Sequence, residues 1–293
     1  MVDTLVSHVL PFLVALGVST VTSTAGVSGA FLLLPFQVSV LGFTGPGVTP
    51  TNHLFNVIAI PSAVYRYVRE HRMVWPLSAV IVIGTLPGVV LGVLIRIRWL
   101  PDARSFKAFM GGVLLLLGMR LLVGLRSARP KSPPATPDAF HVRTLRCDWR
   151  FIQYEFRGAR YGVSSWKLTL LAAIVGIVGG AYGVGGGAII APLLVSVAQL
   201  PVHTVAGATL FATFLTSLVA VGGFTVAGLL SGHSNVAPDW MLGVSLGVGG
   251  LLGMYCGARI QRYLPARVIE GVLALSTTGL ALAYLARYLL GTG

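Results

Sequence analysis

The sequence predicts an all-α integral membrane protein. It should have about ten membrane segments in two inverted five-segment repeats, each holding one glycine-broken helix. Three observations predict this. The 293-residue chain is 55% hydrophobic and only 10% charged, against about 25% charged in a soluble domain. Several of its apolar runs reach the roughly 20 residues needed to cross a bilayer. One glycine-rich stretch also occurs twice. Gly183-Val184-Gly185-Gly186-Gly187-Ala188-Ile189-Ile190-Ala191-Pro192 aligns without a gap to Gly26-Val27-Ser28-Gly29-Ala30-Phe31-Leu32-Leu33-Leu34-Pro35, 157 positions earlier, and seven of fifteen positions are identical through Val40 and Val197.

Taken in order, the apolar segments of the first half are about 5–24, 28–42, 50–67, 75–96 and 104–125. The first reads as a retained membrane segment, because no basic n-region or small-residue cleavage site accompanies it. The second is too short for a full crossing and suits a tilted half-spanning helix. Clustered glycines free the backbone just before it, and a proline removes an amide inside it. Such a break is tolerated in lipid only where the freed groups face protein or a polar cavity. The second half repeats the series at about 166–182, 186–200, 203–230, 239–258 and 266–290, with the next helix after the break starting near Gly186. Gly88 and Gly92 precede Leu100-Pro101 much as Gly253 and Gly257 precede Leu264-Pro265. Their small-xxx-small spacing is a packing signal.

The chain therefore divides into a first membrane repeat over 1–125, a basic cytoplasmic loop over 126–165, and a second membrane repeat over 166–293. From Arg126 to Lys167 there are nine Lys or Arg and three acids. Its Pro-rich part should be extended or disordered. Residues 140–160 interleave Phe140, Leu145, Trp149, Phe151, Ile152, Tyr154 and Phe156 with arginines, a pattern suited to a segment lying on anionic lipid headgroups. The net charge of +13 is topology-setting under the positive-inside rule, with no basic helix of the kind that binds nucleic acid. An outside N-terminus and five crossings per half place three basic stretches in the cytoplasm: the central loop, 66–75 and 259–267. The Lys- and Arg-free stretch 231–239 then falls outside. Arg96, Arg98, Arg104 and Lys107 break the rule by also falling outside.

The third segment of each half is the polar one. Thr49, Asn52 and Asn56 share a helical face beside His53, and Thr209, Thr213 and Thr216 share another. Allowing one residue of slip, Leu54-Phe55 aligns with Leu210-Phe211, so that His53 matches Thr209. These groups could complete an anion site begun by unpaired N–H groups at the two breaks, where helix N-termini favour negative charge. Broken segments at corresponding positions of two halves point to a transporter's binding site. The expected site comprises backbone around Ser28, Gly29, Gly185 and Gly186, with donors from Ser28, Asn52, His53, Asn56, Thr209 and Thr213. Interhelical hydrogen bonding accounts for the threonines equally well. His53 reads either as the carrier of a coupled proton or as a neutral core histidine.

The paired G-V-x-G stretches, the Leu-Pro after each later glycine pair and the basic central loop resemble the TauE/SafE family of membrane anion exporters, over roughly 10–125 and 168–290. The resemblance implies a transporter that exports sulfite, organosulfonates or related sulfur-containing anions across the cytoplasmic membrane. The first copy departs from the richer glycine pattern, with Ser28 and Ala30 where the second has Gly185 and Gly187. The alternatives are an anion channel and a non-transporting membrane scaffold. An enzyme fits poorly. Gly183-x-Gly185-x-x-Ala188 matches a dinucleotide fingerprint in form, but a helix-length run precedes it and no acid follows within thirty residues. No cofactor motif, Walker lysine or metal-ligand spacing is present, and neither Cys147 nor Cys256 has a pairing signal. Nothing in the sequence fixes an oligomeric state.

Overall fold

The computed structural model describes residues 9–126, 141–231 and 236–265, followed by scattered helical positions between Val268 and Leu282. The Pro-rich part of the central loop, the first residues of segment 5–24 and most of segment 266–290 lie outside the described residues. The elements are α1 (Leu10–Ser23), α2 (Ala30–Ser39), α3 (Val48–Arg69), α4 (Trp75–Arg98), α5 (Ala103–Arg126), β1 (Val142–Cys147), β2 (Phe151–Phe156), β3 (Ala159–Ser164), α6 (Ser165–Tyr182), α7 (Gly186–Ser196), α8 (Val202–Ser231) and α9 (Trp240–Ile260), closed by a single 3₁₀ turn over Gln261–Tyr263.

Four of these helices, α4, α6, α8 and α9, are long and apolar enough to cross a membrane. At 22 residues α3 has the length, but its first half carries the polar face. By contrast, α2 and α7 have 10 and 11 residues. At 1.5 Å per residue they span about half of a 30 Å hydrocarbon core.

Both breaks form where the glycines predict them. Gly183 ends α6 in the left-handed region at φ 94°, and Gly185 caps α7 at φ 73°. In the first copy only Gly26 has positive φ, at 72°. Ser28 keeps an ordinary negative φ at the position of Gly185, and α2 begins at Ala30. The poorer glycine pattern gives a longer version of the same break, residues 24–29 between helices in the first copy against 183–185 in the second.

The helices pack through small residues. A Cβ on Gly249, Gly253 or Gly257 of α9 would overlap the carbonyls of Phe12, Leu16 and Thr20 on α1. One on Gly84, Gly88 or Gly92 of α4 would overlap those of Thr169, Ala173 and Ile177 on α6. Each contact on α4 and α6 thus has its counterpart on α9 and α1. The small-residue spacings are packing seams, and backbones approach across them with no side chain between. At the centre, α3 packs on both α8 and α9.

The two ends of α3 collect different loops. At its start, Arg96 bonds to Gly45 and Leu100, and the Asp239 amide donates to Thr51 Oγ1 at 2.8 Å. At its end, Arg72 donates to Ala258 O at 3.1 Å and Gln261 Oε1 at 2.6 Å, and the Val142 amide to His71 O at 3.2 Å. The stretch 66–75, residues 259–265 and the central sheet therefore share one face, and the connections after α2 and α4 share the other with Asp239, just before α9.

The central segment corrects the all-helical expectation. Residues 142–164 form an antiparallel sheet of order β1-β2-β3. The signal was the alternation Ile152, Tyr154, Phe156, all buried, followed by a two-residue turn at Arg157 and Gly158 with φ 53° and 72°. Those three side chains face the bundle, and the Tyr154 hydroxyl meets Thr204 Oγ1 at 2.8 Å at the start of α8. The arginine-rich strand β1 is left exposed.

Candidate functional site

The two breaks meet at α3. Asn52 Nδ2 donates to Ala30 O at 2.8 Å and to Gly183 O at 3.0 Å, so one side-chain amide ties the first break to the second. Its Oδ1 accepts from Gln37 Nε2 at 3.0 Å. On the other side, Thr209 Oγ1 donates to Gly26 O at 2.9 Å. Gly26 and Gly183 are repeat mates 157 positions apart, and so are Asn52 and Thr209. The hydrogen bonds therefore pair Asn52 with Thr209 without slip, in place of the His53–Thr209 match that Leu54-Phe55 and Leu210-Phe211 suggest. Asn56 and Thr213 follow in the same register. Asn56 Oδ1 accepts a short bond from Ser28 Oγ, while a Cβ on Gly185 would lie 2.8 Å from Thr213 Cγ2.

A polar chain runs onward from Ser28. Asn56 Nδ2 donates to Ser217 Oγ at 3.1 Å, Ser217 Oγ meets His53 Nδ1 at 3.0 Å, and His53 Nε2 lies 3.4 Å from Gly180 O. A neutral His53 protonated on Nε2 satisfies every member: Nε2–H donates to the carbonyl, and Nδ1 accepts from the serine hydroxyl. Ser28, Asn52, His53, Asn56, Thr209, Thr213 and Ser217 are all fully buried.

Gly29 and Gly186 allow the close approach. A Cβ on Gly29 would come 2.6 Å from Ser19 Oγ, and one on Gly186 would overlap the Thr85 methyl. Gly185 is ringed by Thr213, Thr216 and Ser217. Among the described residues, no backbone bond takes up the amides of Ser28, Gly29, Gly186 or Gly187. The hydroxyls of Ser19 and Thr22 are also buried beside the first break without a partner.

All nine expected residues thus fall in one region. The side-chain donors differ from expectation in one respect: Asn52, Thr209 and Thr213 spend their protons on protein carbonyls. An anion between the breaks would meet the free amides and the unpartnered Ser19 and Thr22 hydroxyls first, and take Asn52, Thr209 and Thr213 only by exchange. Sequence reasoning missed Gln37, Ser217, Ser19, Thr22 and Arg96. Ser217 was visible as the third member of the i, i+4, i+8 face begun by Thr209 and Thr213. Gln37 was visible as the one amide inside a half-helix of apolar residues.

Helices long enough to cross a membrane, two half-length helices with glycine-freed N-termini, and a buried polar centre where they meet define a polytopic membrane transporter. The model of the Sulfite exporter TauE/SafE family matches residues 11–284, and the chain belongs to that family. It is 24% identical over 277 residues to the probable membrane transporter protein YunE of Bacillus subtilis (strain 168), covering 92% of this chain and 94% of that protein. A probable membrane transporter protein of Xylella fastidiosa (strain 9a5c) is 27% identical over 233 residues, covering 78% and 75%. No solved structure matches.

Proposed function

We propose that the chain is a secondary transporter that exports small sulfur-containing anions, such as sulfite or organosulfonates, from a site between the two glycine breaks. The observation that carries this reading is the bridge of Asn52 from Ala30 O to Gly183 O, beside amides that no backbone carbonyl takes up. An oxyanion loses its water shell at high cost unless donors replace that shell. Two helix N-termini supply donors without a full permanent charge, which leaves binding reversible.

The matched packing of α1 on α9 and of α6 on α4 supports two inverted repeats, with the fifth member of the second repeat over 266–290. Rocking of one repeat against the other would expose the site alternately. We place the central sheet in the cytoplasm, where the arginines of β1 would face anionic headgroups of the inner membrane. His53 is the group that would carry a coupled proton. Adding a proton to Nδ1 forces the Ser217 hydroxyl to turn, and through Asn56 the change reaches Ser28.

Vesicle uptake of radiolabelled sulfite tests the reading, alongside a thermal-shift screen of purified protein against sulfite, thiosulfate and small sulfonates, because a ligand that binds only the folded state raises its melting temperature. Sulfite or a sulfonate should be taken up and should stabilise the protein, and Asn52→Ala should weaken binding by on the order of 1–3 kcal/mol. Gly186→Val should do more, because its side chain strikes Thr85 and crowds the free amides. If none of these anions binds or moves, or if both variants transport like the parent, the reading fails.

A further inference from the structure

Among the described residues two arginines are fully buried, one towards each end of α3. Arg72 is neutralised: its guanidinium pairs with Glu70 at 2.5 Å and donates to Gln261 and Ala258. Arg96 is not. Its acceptors are all neutral, namely Thr49 Oγ1 at 2.9 Å, Leu100 O in a short bond and Gly45 O at a marginal 3.5 Å. Its cation lies 3.8 Å over the Phe106 ring. Asp102 attracts it electrostatically, but that carboxylate is exposed and holds the Ser105 amide at 2.8 Å. A buried cation without a carboxylate in contact is costly, and an anion brought to it recovers that loss.

Its position is on the way to the centre. Thr49 accepts from Arg96, donates to Ala181 O at 3.5 Å, and lays its backbone against Gly183. Asn52, one helical turn further on the same face, holds Gly183 O. On the other side Arg96 reaches Gly45 in the loop after α2, where residues 43–46 are only half-buried. Between the loop and the second break, therefore, stands one cation that is neither ion-paired nor far from the candidate site. The second repeat lacks an equivalent. The interval that relates Gly88 to Gly253 brings position 96 to Gln261, a neutral amide that donates to Thr24 O at 2.7 Å.

We propose that Arg96 is a second anion subsite, at the end of the molecule that carries the loop after α2, and that it takes a small oxyanion on its guanidinium fork in exchange for Gly45 O and Thr49 Oγ1. This rests on the reading of the chain as an anion transporter. The ligand class follows from the fork, which matches two oxygens on one centre, as in a sulfonate or sulfite, and a spherical halide cannot use it.

Equilibrium binding of radiolabelled sulfite to the purified full-length chain, with methanesulfonate and chloride as competitors, tests the proposal. Wild type should bind sulfite, and methanesulfonate should displace it far better than chloride. Arg96→Gln should weaken sulfite binding by about tenfold, as the loss of a charge-assisted pair requires. Arg96→Lys keeps the charge but not the fork, so it should bind about threefold more weakly and lose most of the preference for methanesulfonate over chloride. That change of selectivity separates contact with the anion from a role in packing, and it keeps the test decisive if the glutamine variant does not fold. An Arg96→Lys variant with wild-type affinity and selectivity overturns the subsite while leaving the central site intact. Normal binding in Asn52→Ala with binding lost in Arg96→Gln would instead overturn the central site and keep this one. A wild type that binds neither sulfite nor methanesulfonate overturns both.

Discussion

Ser217 joins the two halves of the polar centre, receiving Asn56 Nδ2 on one side and serving His53 Nδ1 on the other. Ser217→Ala leaves two buried nitrogens without partners, and each such group costs about 1–3 kcal/mol. The variant should melt well below the parent and lose transport, whereas Thr225→Ala, whose half-buried hydroxyl bonds back to Val221 O on its own helix, should do neither; melting curves and vesicle uptake check both. The spacing of Asn52, Asn56, Thr209 and Thr213 was legible because helical periodicity alone puts them on facing surfaces. Their pairing across the repeats was not. Leu54-Phe55 and Leu210-Phe211 are apolar and degenerate, so a one-residue slip between them changes little in the sequence. The backbone carbonyls of Gly26 and Gly183 accept a bond from only one position on each helix, and that fixes Asn52 opposite Thr209.

At the level of elements, the seams between α1 and α9 and between α4 and α6 should be equally intolerant of volume. Gly88→Val and Gly253→Val each drive a side chain into a facing carbonyl, of Ala173 and Leu16 respectively. Overpacking of this kind costs about 1–3 kcal/mol or more, so both variants should lose yield and melting temperature together. Gly17→Val, with open space around it, should express like the parent, and size-exclusion profiles in detergent would show the contrast. The glycine breaks and these seams were readable because glycine there answers a backbone need that no side chain can meet. The sheet was missed for the opposite reason. Its buried alternation, Ile152, Tyr154 and Phe156, is carried by residues that also suit a membrane interface, and the arginines on either side of them, such as Arg150 and Arg157, favoured that reading. Arg157-Gly158, a turn needing positive φ at both positions, was the local sign of a hairpin.

For the whole molecule, charge and packing agree on which loops share a face. The stretch 66–75, residues 259–265 and the sheet are tied together through Arg72, Gln261 and His71. Asp239, capping α9, reaches the start of α3. The stretch that broke the positive-inside expectation is partly explained by Arg96, which turns into the protein instead of standing at the surface. Removing it from the loop count weakens the conflict and leaves the sheet as the strongly basic face, expected in the cytoplasm. Cys147 offers a native probe, since it is free and exposed on β1. In a Cys256→Ala background, intact cells should label Cys147 with a membrane-permeant maleimide and not with an impermeant one. Trp99→Cys, at the exposed end of α4 on the opposite face, should react with both. Labelling of Cys147 by the impermeant reagent in sealed cells would invert the molecule. The buried cation Arg96 would then open towards the cytoplasm, as a capture site for anions about to leave the cell instead of a point of release.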